Sequence, residues 1–226
     1  MSRHDHERRF LNDARNWLGE IARSGRIWSE FTRAAYRLRG LGPCVTVFGS
    51  ARFKEDHRYY QLARDVGREL GEAGFTVMTG GGPGVMEAAN RGARDAGAPS
   101  IGCNIILPHE QQANPYVDRT VNFNYFFIRK VMLMKYSCAF VLMPGGFGTM
   151  DEAFEAATLI QTGKIERFPV VACGSDYWGH LRTFLRDTMI RNATIDDSDL
   201  DMTYPTDDPR DAAKYIVEQT GIGSIS

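Results

Sequence analysis

The chain has 226 residues, 43% of them apolar and 24% charged, the composition of a folded globular protein and not of a disordered one. Its 27 basic and 28 acidic residues leave a net charge of −1, which gives no general attraction to nucleic acid or to an anionic membrane surface. There is no apolar window of about 18 residues, and the charged start lacks a signal-peptide core, so no membrane span is expected and the cytoplasm is the expected location. The length suits one α/β domain over 1–226 better than two small ones.

Residues 1–40 read as a helical extension. Phe10, Ala14, Trp17, Leu18 and Ile21 recur at helical spacing, Ser24-Gly25 breaks the run, and Trp28, Phe31, Ala35 and Leu38 resume it. These two stripes are expected to bury against the main body or, as the alternative, against a second subunit. From Pro43 onward, short apolar runs alternate with helical ones. Strands are predicted at 45–48, 76–78, 101–106, 120–123, 139–143, 170–173 and, more weakly, 202–204. Helices are predicted at 59–73, 85–96, 126–136, 150–162, 177–191 and 209–219. Runs such as Ala139-Phe-Val-Leu-Met143 are apolar at every position, which marks strands buried on both faces. The fold class is therefore α/β, an open parallel sheet with helices on both sides. Cys44, Cys103, Cys138 and Cys173 lie in or beside strand runs, with no Cys-x-x-Cys pair, and are expected to be buried thiols. His57, His109 and His180 have no partner at metal-ligand spacing, so no metal is expected, and no cofactor is called for.

Two glycine-rich turns carry the functional signal. The first, Thr79-Gly-Gly-Gly-Pro-Gly-Val-Met-Glu87, follows the second strand. The second, Pro144-Gly-Gly-Phe-Gly-Thr-Met-Asp-Glu152, follows the fifth. Glycine lets a ligand approach the backbone closely, and the helix start behind each turn offers unpaired N–H groups and the positive end of a dipole. Both turns should lie at the carboxyl edge of the sheet, where open parallel sheets bind ligands. Gly82 and Gly84 of the first, and Gly145, Gly146 and Gly148 with Thr149 of the second, are the candidate substrate-binding positions. Ser50, after the first strand, is a third polar contact at the same edge. A dinucleotide fingerprint would place glycine where Glu87 stands, and a P-loop would need a lysine before Thr149. A monophosphate fits better than either.

Glu87 and Glu152 follow the turns. Thr149-x-x-Glu152 has the pattern of a capping box, and a carboxylate near a helix start is stabilising in its own right. The same glycine-then-glutamate arrangement occurs twice, however, and a carboxylate beside a bound sugar suits glycosidic cleavage. Arg129-Lys130 opens another helix and can either neutralise phosphate, hold a carboxylate or simply form a solvated face.

Taken together, Gly80-Gly-Gly-Pro-Gly-Val-Met-Glu87, Arg129-Lys130 and Pro144-Gly-Gly-Phe-Gly-Thr-Met-Asp-Glu152 resemble the LOG ("Lonely guy") family, cytokinin riboside 5′-monophosphate phosphoribohydrolases often mislabelled lysine decarboxylases. The extra N-terminal helices look like the longer bacterial branch. The resemblance implies a Rossmann-like sheet, a homodimer with active sites near its interface, and cleavage of AMP or its N6-prenylated form to free base and ribose 5-phosphate. It implies that Arg129 and Glu152 are the catalytic pair, that Lys130 and Glu87 are site residues, and that Gly146, Gly148 and Thr149 cradle the phosphate. The small-molecule nucleotide is then the partner, not nucleic acid or membrane. The same fold group includes molybdenum-cofactor carriers, so the alternative is a non-catalytic carrier of that cofactor or of a nucleotide.

Overall fold

A computed structural model describes residues 6–12, 17–107, 112–165 and 168–224. In chain order the elements are α1 (His6–Asn12), α2 (Trp17–Leu38), β1 (Cys44–Phe48), α3 (Arg58–Glu72), β2 (Thr76–Thr79), α4 (Val85–Asp95), β3 (Ser100–Ile105) and β4 (Arg119–Phe123). There follow α5 (Phe126–Lys135), β5 (Ala139–Leu142), α6 (Phe147–Gln161), β6 (Val170–Ala172), α7 (Ser175–Phe184), β7 (Thr203–Pro205) and α8 (Pro209–Thr220). All seven predicted strands form, in one sheet of order β4-β3-β2-β1-β5-β6-β7. Every pairing is parallel.

The strand pattern explains the layers. Alternate residues of β1 and β5 point to opposite faces. Val45, Val47, Ala139 and Val141 join a core under α3, α4 and α8, with Val66, Leu70, Ala89 and Ile216. Cys44, Phe48, Phe140 and Leu142 join the other, with Leu38 of α2, Ile128 and Met132 of α5, and Ala156 of α6. Strand order reverses at β1, with Val45 paired to Val77 on one side and to Ala139 on the other. The loops that leave β2 and β5 therefore flank the loop that leaves β1, at the switch point where open parallel sheets bind ligands.

The structure corrects the expected N-terminal pattern. Helix α2 runs without a break through Ser24-Gly25. Leu38 is buried and Phe31 and Ala35 partly so, but Trp17 (75% exposed), Leu18, Ile21 and Trp28 (71%) face outward. The buried face of α2 instead holds Arg23, Glu30, Ala34 and Leu38. Two of those four are charged, so hydrophobic periodicity marked Phe31, Ala35 and Leu38 correctly but not Trp17, Leu18, Ile21 or Trp28 as contacts with the body of this chain. Ala14 and His109 lie outside the described residues.

Two helix boundaries also differ. Helix α6 begins at Phe147, three residues before the expected start, because Gly148 of the turn enters the helix and Gly146 is its N-cap. The helix expected at 177–191 is α7 followed by a π-helical stretch, Leu185–Ile190. Cys44, Cys103 and Cys173 are buried and Cys138 partly so, all as free thiols. Among the described residues no helix is long and apolar enough to cross a membrane.

Candidate active site

Three loops meet at the switch point, and Ser50 ties them together through its backbone. Its N–H donates to the Pro144 carbonyl (3.0 Å), and its carbonyl accepts from the Val85 N–H (2.9 Å). Such approach requires glycine. Gly84 has φ +70°, and a Cβ there would lie 2.4 Å from the Ser50 oxygen. A Cβ on Gly145 would lie 2.1 Å from Thr149 Oγ1. The Ser50 hydroxyl accepts from the Arg52 N–H (3.1 Å), so Ser50 contributes mainly as a backbone link.

The first glycine turn is largely satisfied from within. The Gly81 N–H donates to Thr79 Oγ1 (2.9 Å), and the Val85 N–H is taken by Ser50. The Gly81 carbonyl accepts from the Asn114 N–H (2.9 Å), and the Gly82 carbonyl from Asn114 Nδ2 (3.1 Å). Asn90 Oδ1 in turn accepts from Thr79 Oγ1 (2.6 Å) and from Asn114 Nδ2 (3.0 Å). Thr79, Asn90 and Asn114 thus form a buried polar network beneath the turn. The expectation that each turn offers unpaired N–H groups to a ligand is not met at Gly81 and Val85.

The second turn is open. Gly146 is the N-cap of α6, and no side chain caps the helix. Its first N–H groups have no intrahelical acceptor, and Gly146, Phe147 and Gly148 are exposed. Nothing lies within 4 Å of a Cβ built on Gly146 or Gly148, so this helix start faces open space. Tyr177 Oη donates to the Gly145 carbonyl (2.5 Å), turning that oxygen away into the protein. Open N–H groups and the helix dipole make this an anion site in form.

Beside it stands a buried ion pair. Arg129 Nη2 of α5 donates to Glu152 Oε1 of α6 at 2.8 Å, and the two side chains are only 12% and 10% exposed. Burial pushes the Glu152 carboxyl up to about 7, against the opposing pull of Arg129. The guanidinium lies against the first turn, where a Cβ on Gly80 would come within 3.1 Å of Nη1. Arg129 Nε is buried without a hydrogen-bond partner. The capping box is not formed: with Gly146 as N-cap, Thr149 is the third helical residue and Glu152 the sixth.

The remaining candidates are dispersed. Lys130 Nζ lies 3.2 Å from Asp151 and 3.1 Å from Glu155, and so fastens α5 to α6. Glu87 Oε1 accepts from Tyr60 Oη of α3 at 2.9 Å. Asn114 and Tyr177, which shape the two turns, were missed. Asn114 lies in a segment with no periodic pattern, and Tyr177 reads as an ordinary helix residue. Only Asn90, a lone amide on the buried face of α4, could have been noticed.

The profile of the family described as "Possible lysine decarboxylase" matches residues 86–216, which include Glu87, Arg129, Lys130 and the whole second turn. The chain belongs to this family, the LOG family. This LOG-family chain is 33% identical over 122 residues to the cytokinin riboside 5′-monophosphate phosphoribohydrolase of Mycobacterium tuberculosis, which covers 53% of this chain and 64% of that protein. The LOG enzyme of the same name from Oryza sativa is 32% identical over 115 residues, covering 50% and 47%. That of Rhodococcoides fascians is 25% identical over 165 residues, covering 70% and 82%. The chain thus matches less than two thirds of the length of the first two relatives. Among solved structures, the molybdenum cofactor binding protein from Rippkaea orientalis shares the fold, with a TM-score of 0.59 at 21% identity over 79% of this chain and 98% of that one.

Proposed function

We propose that this LOG-family chain hydrolyses the N-glycosidic bond of a nucleoside 5′-monophosphate, AMP or an N6-substituted AMP, to the free base and ribose 5-phosphate. The observation that carries this reading is the buried Arg129–Glu152 pair set beside an uncapped, open helix start. The 5′-phosphate is held by the first N–H groups of α6, around Gly146, Gly148 and Thr149. Glu152 then faces the sugar. As the bond to the base breaks, positive charge grows at the anomeric carbon, and a carboxylate in a dry pocket stabilises it far better than one in water. The same carboxylate can direct the attacking water. Arg129 orients Glu152 and favours its ionised form against the opposing effect of burial. The relatives named for this reaction support the assignment. We read the protein as a cytoplasmic homodimer that works on a small nucleotide without metal or cofactor.

The test is release of free base from AMP and N6-substituted AMP by the purified protein, alongside Glu152→Gln. Gln preserves the shape and removes the charge. The wild type should release base, and the variant should be slower by a factor on the order of 10²–10⁴. Equal turnover by both would remove Glu152 from the chemistry. A second reading is supported by the shared fold with a molybdenum cofactor binding protein. A carrier needs the open helix start and not Glu152. It predicts a raised melting temperature with a phosphorylated pterin or nucleotide and no base released from any nucleoside monophosphate.

A further inference from the structure

We infer that the N-terminal extension positions Arg129: Glu30 of α2 and Glu7 of α1 cap, from outside, the helix that carries it. The inference rests on the reading of Arg129 and Glu152 as the catalytic pair.

Helix α5 begins without resources of its own. Its N-cap, Tyr125, makes no side-chain capping bond, and its first turn holds no acidic residue. Its leading N–H groups need acceptors, and helix starts buried without them are costly. The acceptors come from far away in the sequence. Glu30 Oε1 accepts from the Asn124 N–H (2.9 Å) and the Tyr125 N–H (3.2 Å), and its Oε2 accepts from Asn124 Nδ2 (2.7 Å). Glu7 Oε1 accepts from the Phe126 N–H (3.0 Å). Three successive backbone N–H groups therefore end on two carboxylates of the extension. Phe10 of α1 packs edge-on against the Tyr125 ring, with centroids 6.0 Å apart, and holds α1 over the same spot.

Glu30 is only 3% exposed. A carboxylate so enclosed persists only where several donors and a favourable dipole meet it, and the start of α5 supplies both. The capped residues lie one turn before the site, for the Arg129 N–H donates to the Tyr125 carbonyl. Any tilt or fraying at 124–126 passes along that turn to the guanidinium, which must meet Glu152 on another helix. Misplacement of a positioning group by about 1 Å is enough to cost a large factor in rate. Glu30 and Glu7 are thus positioning residues that act through Arg129.

The experiment follows the titration of Glu152 in the full chain by carboxyl 13C NMR, with base release from AMP measured in parallel. The charged groups around Glu152 are Arg129 and Lys130 of α5 and Asp151 and Glu155 of α6. In Glu30→Ala, Arg129 should drift from Glu152. The Glu152 midpoint should then move up, and kcat should fall about tenfold while KM stays within about twofold. Glu30→Gln keeps an oxygen for the backbone N–H groups and should restore both readouts. If Glu30→Ala does not fold, Glu7→Ala at the half-buried outer contact serves instead, with a smaller upward shift. An unchanged Glu152 midpoint in a folded alanine variant overturns the inference, whether activity is kept or lost. Should the wild type release no base from any nucleoside monophosphate, the substrate reading fails while the Glu152 midpoint still decides this one.

Discussion

At the scale of single residues, Glu152 carries a signed prediction. Its carboxyl titrates near 7 in the fold against an ordinary value of 4.5, because burial outweighs the attraction of Arg129. The folded state therefore holds an extra proton between those two values, and this residue's contribution to stability is lost as pH rises through that window. Glu152→Gln removes the slope. The melting temperature of the variant relative to wild type should be higher at pH 8 than at pH 5, by something on the order of 5 °C. Equal differences at both pH values would place the Glu152 carboxyl at its ordinary value. Catalysis by the carboxylate should run the opposite way, with kcat/KM falling below about pH 7 as Glu152 takes up its proton.

The glycines separate into two kinds at the same scale. Gly148→Ala adds a methyl into open space on a helix, where alanine is favoured by about 1 kcal/mol, so the fold should be as stable or more so. If the phosphate sits on that turn, KM for the nucleotide should rise about tenfold all the same. An unchanged KM would locate the anion elsewhere. Gly84→Ala should behave differently. Its φ of +70° and the 2.4 Å approach to the Ser50 oxygen make the added methyl a defect of the fold, read as a clear drop in melting temperature without ligand.

At the scale of elements, the helices divide by how they are started. Helix α3 is capped by its own neighbour, His57, and α8 by Asp208, with Pro209 next to it. Helix α6 is left uncapped at the candidate phosphate site, and α5 borrows its cap from the extension. Helices α4 and α7 also lack a side-chain cap from their own neighbours, and α7 borrows Asp207, which accepts from the Ser175 N–H (2.9 Å). The exposed stripe of α2 contributes little to the fold of one chain: Trp17→Ser with Trp28→Ser should change the melting temperature of a monomeric sample by no more than about 2 °C. A larger fall would mean that these rings are buried in solution.

At the scale of the whole molecule, strand order does the assembling. Because β1 lies between β2 and β5, turns separated in the chain by α4, β3, β4, α5 and β5 stand on either side of Ser50. The proposed homodimer would have to cover apolar surface, and Phe127, Val131 and Phe154 offer it on α5 and α6, the two helices that carry the ion pair. Replacing Val131 and Phe154 with Glu should convert a dimer to a monomer in light scattering and lower activity with it. A variant that stays dimeric would move the interface to another face.

Much of this protein was legible in the chain itself. The wholly apolar runs announced buried parallel strands, and the two glycine turns, the Arg129-Lys130 pair and Glu152 marked out the candidate site, because backbone geometry and buried strands restrict residue choice locally. Other features were decided only by the tertiary structure. The charged part of the buried face of α2 could not be found by periodicity, since Glu30 is buried for the donors it meets at Asn124 and Tyr125, in the junction between β4 and α5 far along the chain. The difference between the two similar-looking turns was equally invisible, because Thr79 and Ser50 take the Gly81 and Val85 N–H groups of the first turn and Asn114 takes its Gly81 and Gly82 carbonyls, whereas the helix start at Gly146 has no side-chain cap. Glycine and helix patterns are local and show in the sequence, whereas hydrogen-bond partners and burial depend on what the fold brings alongside.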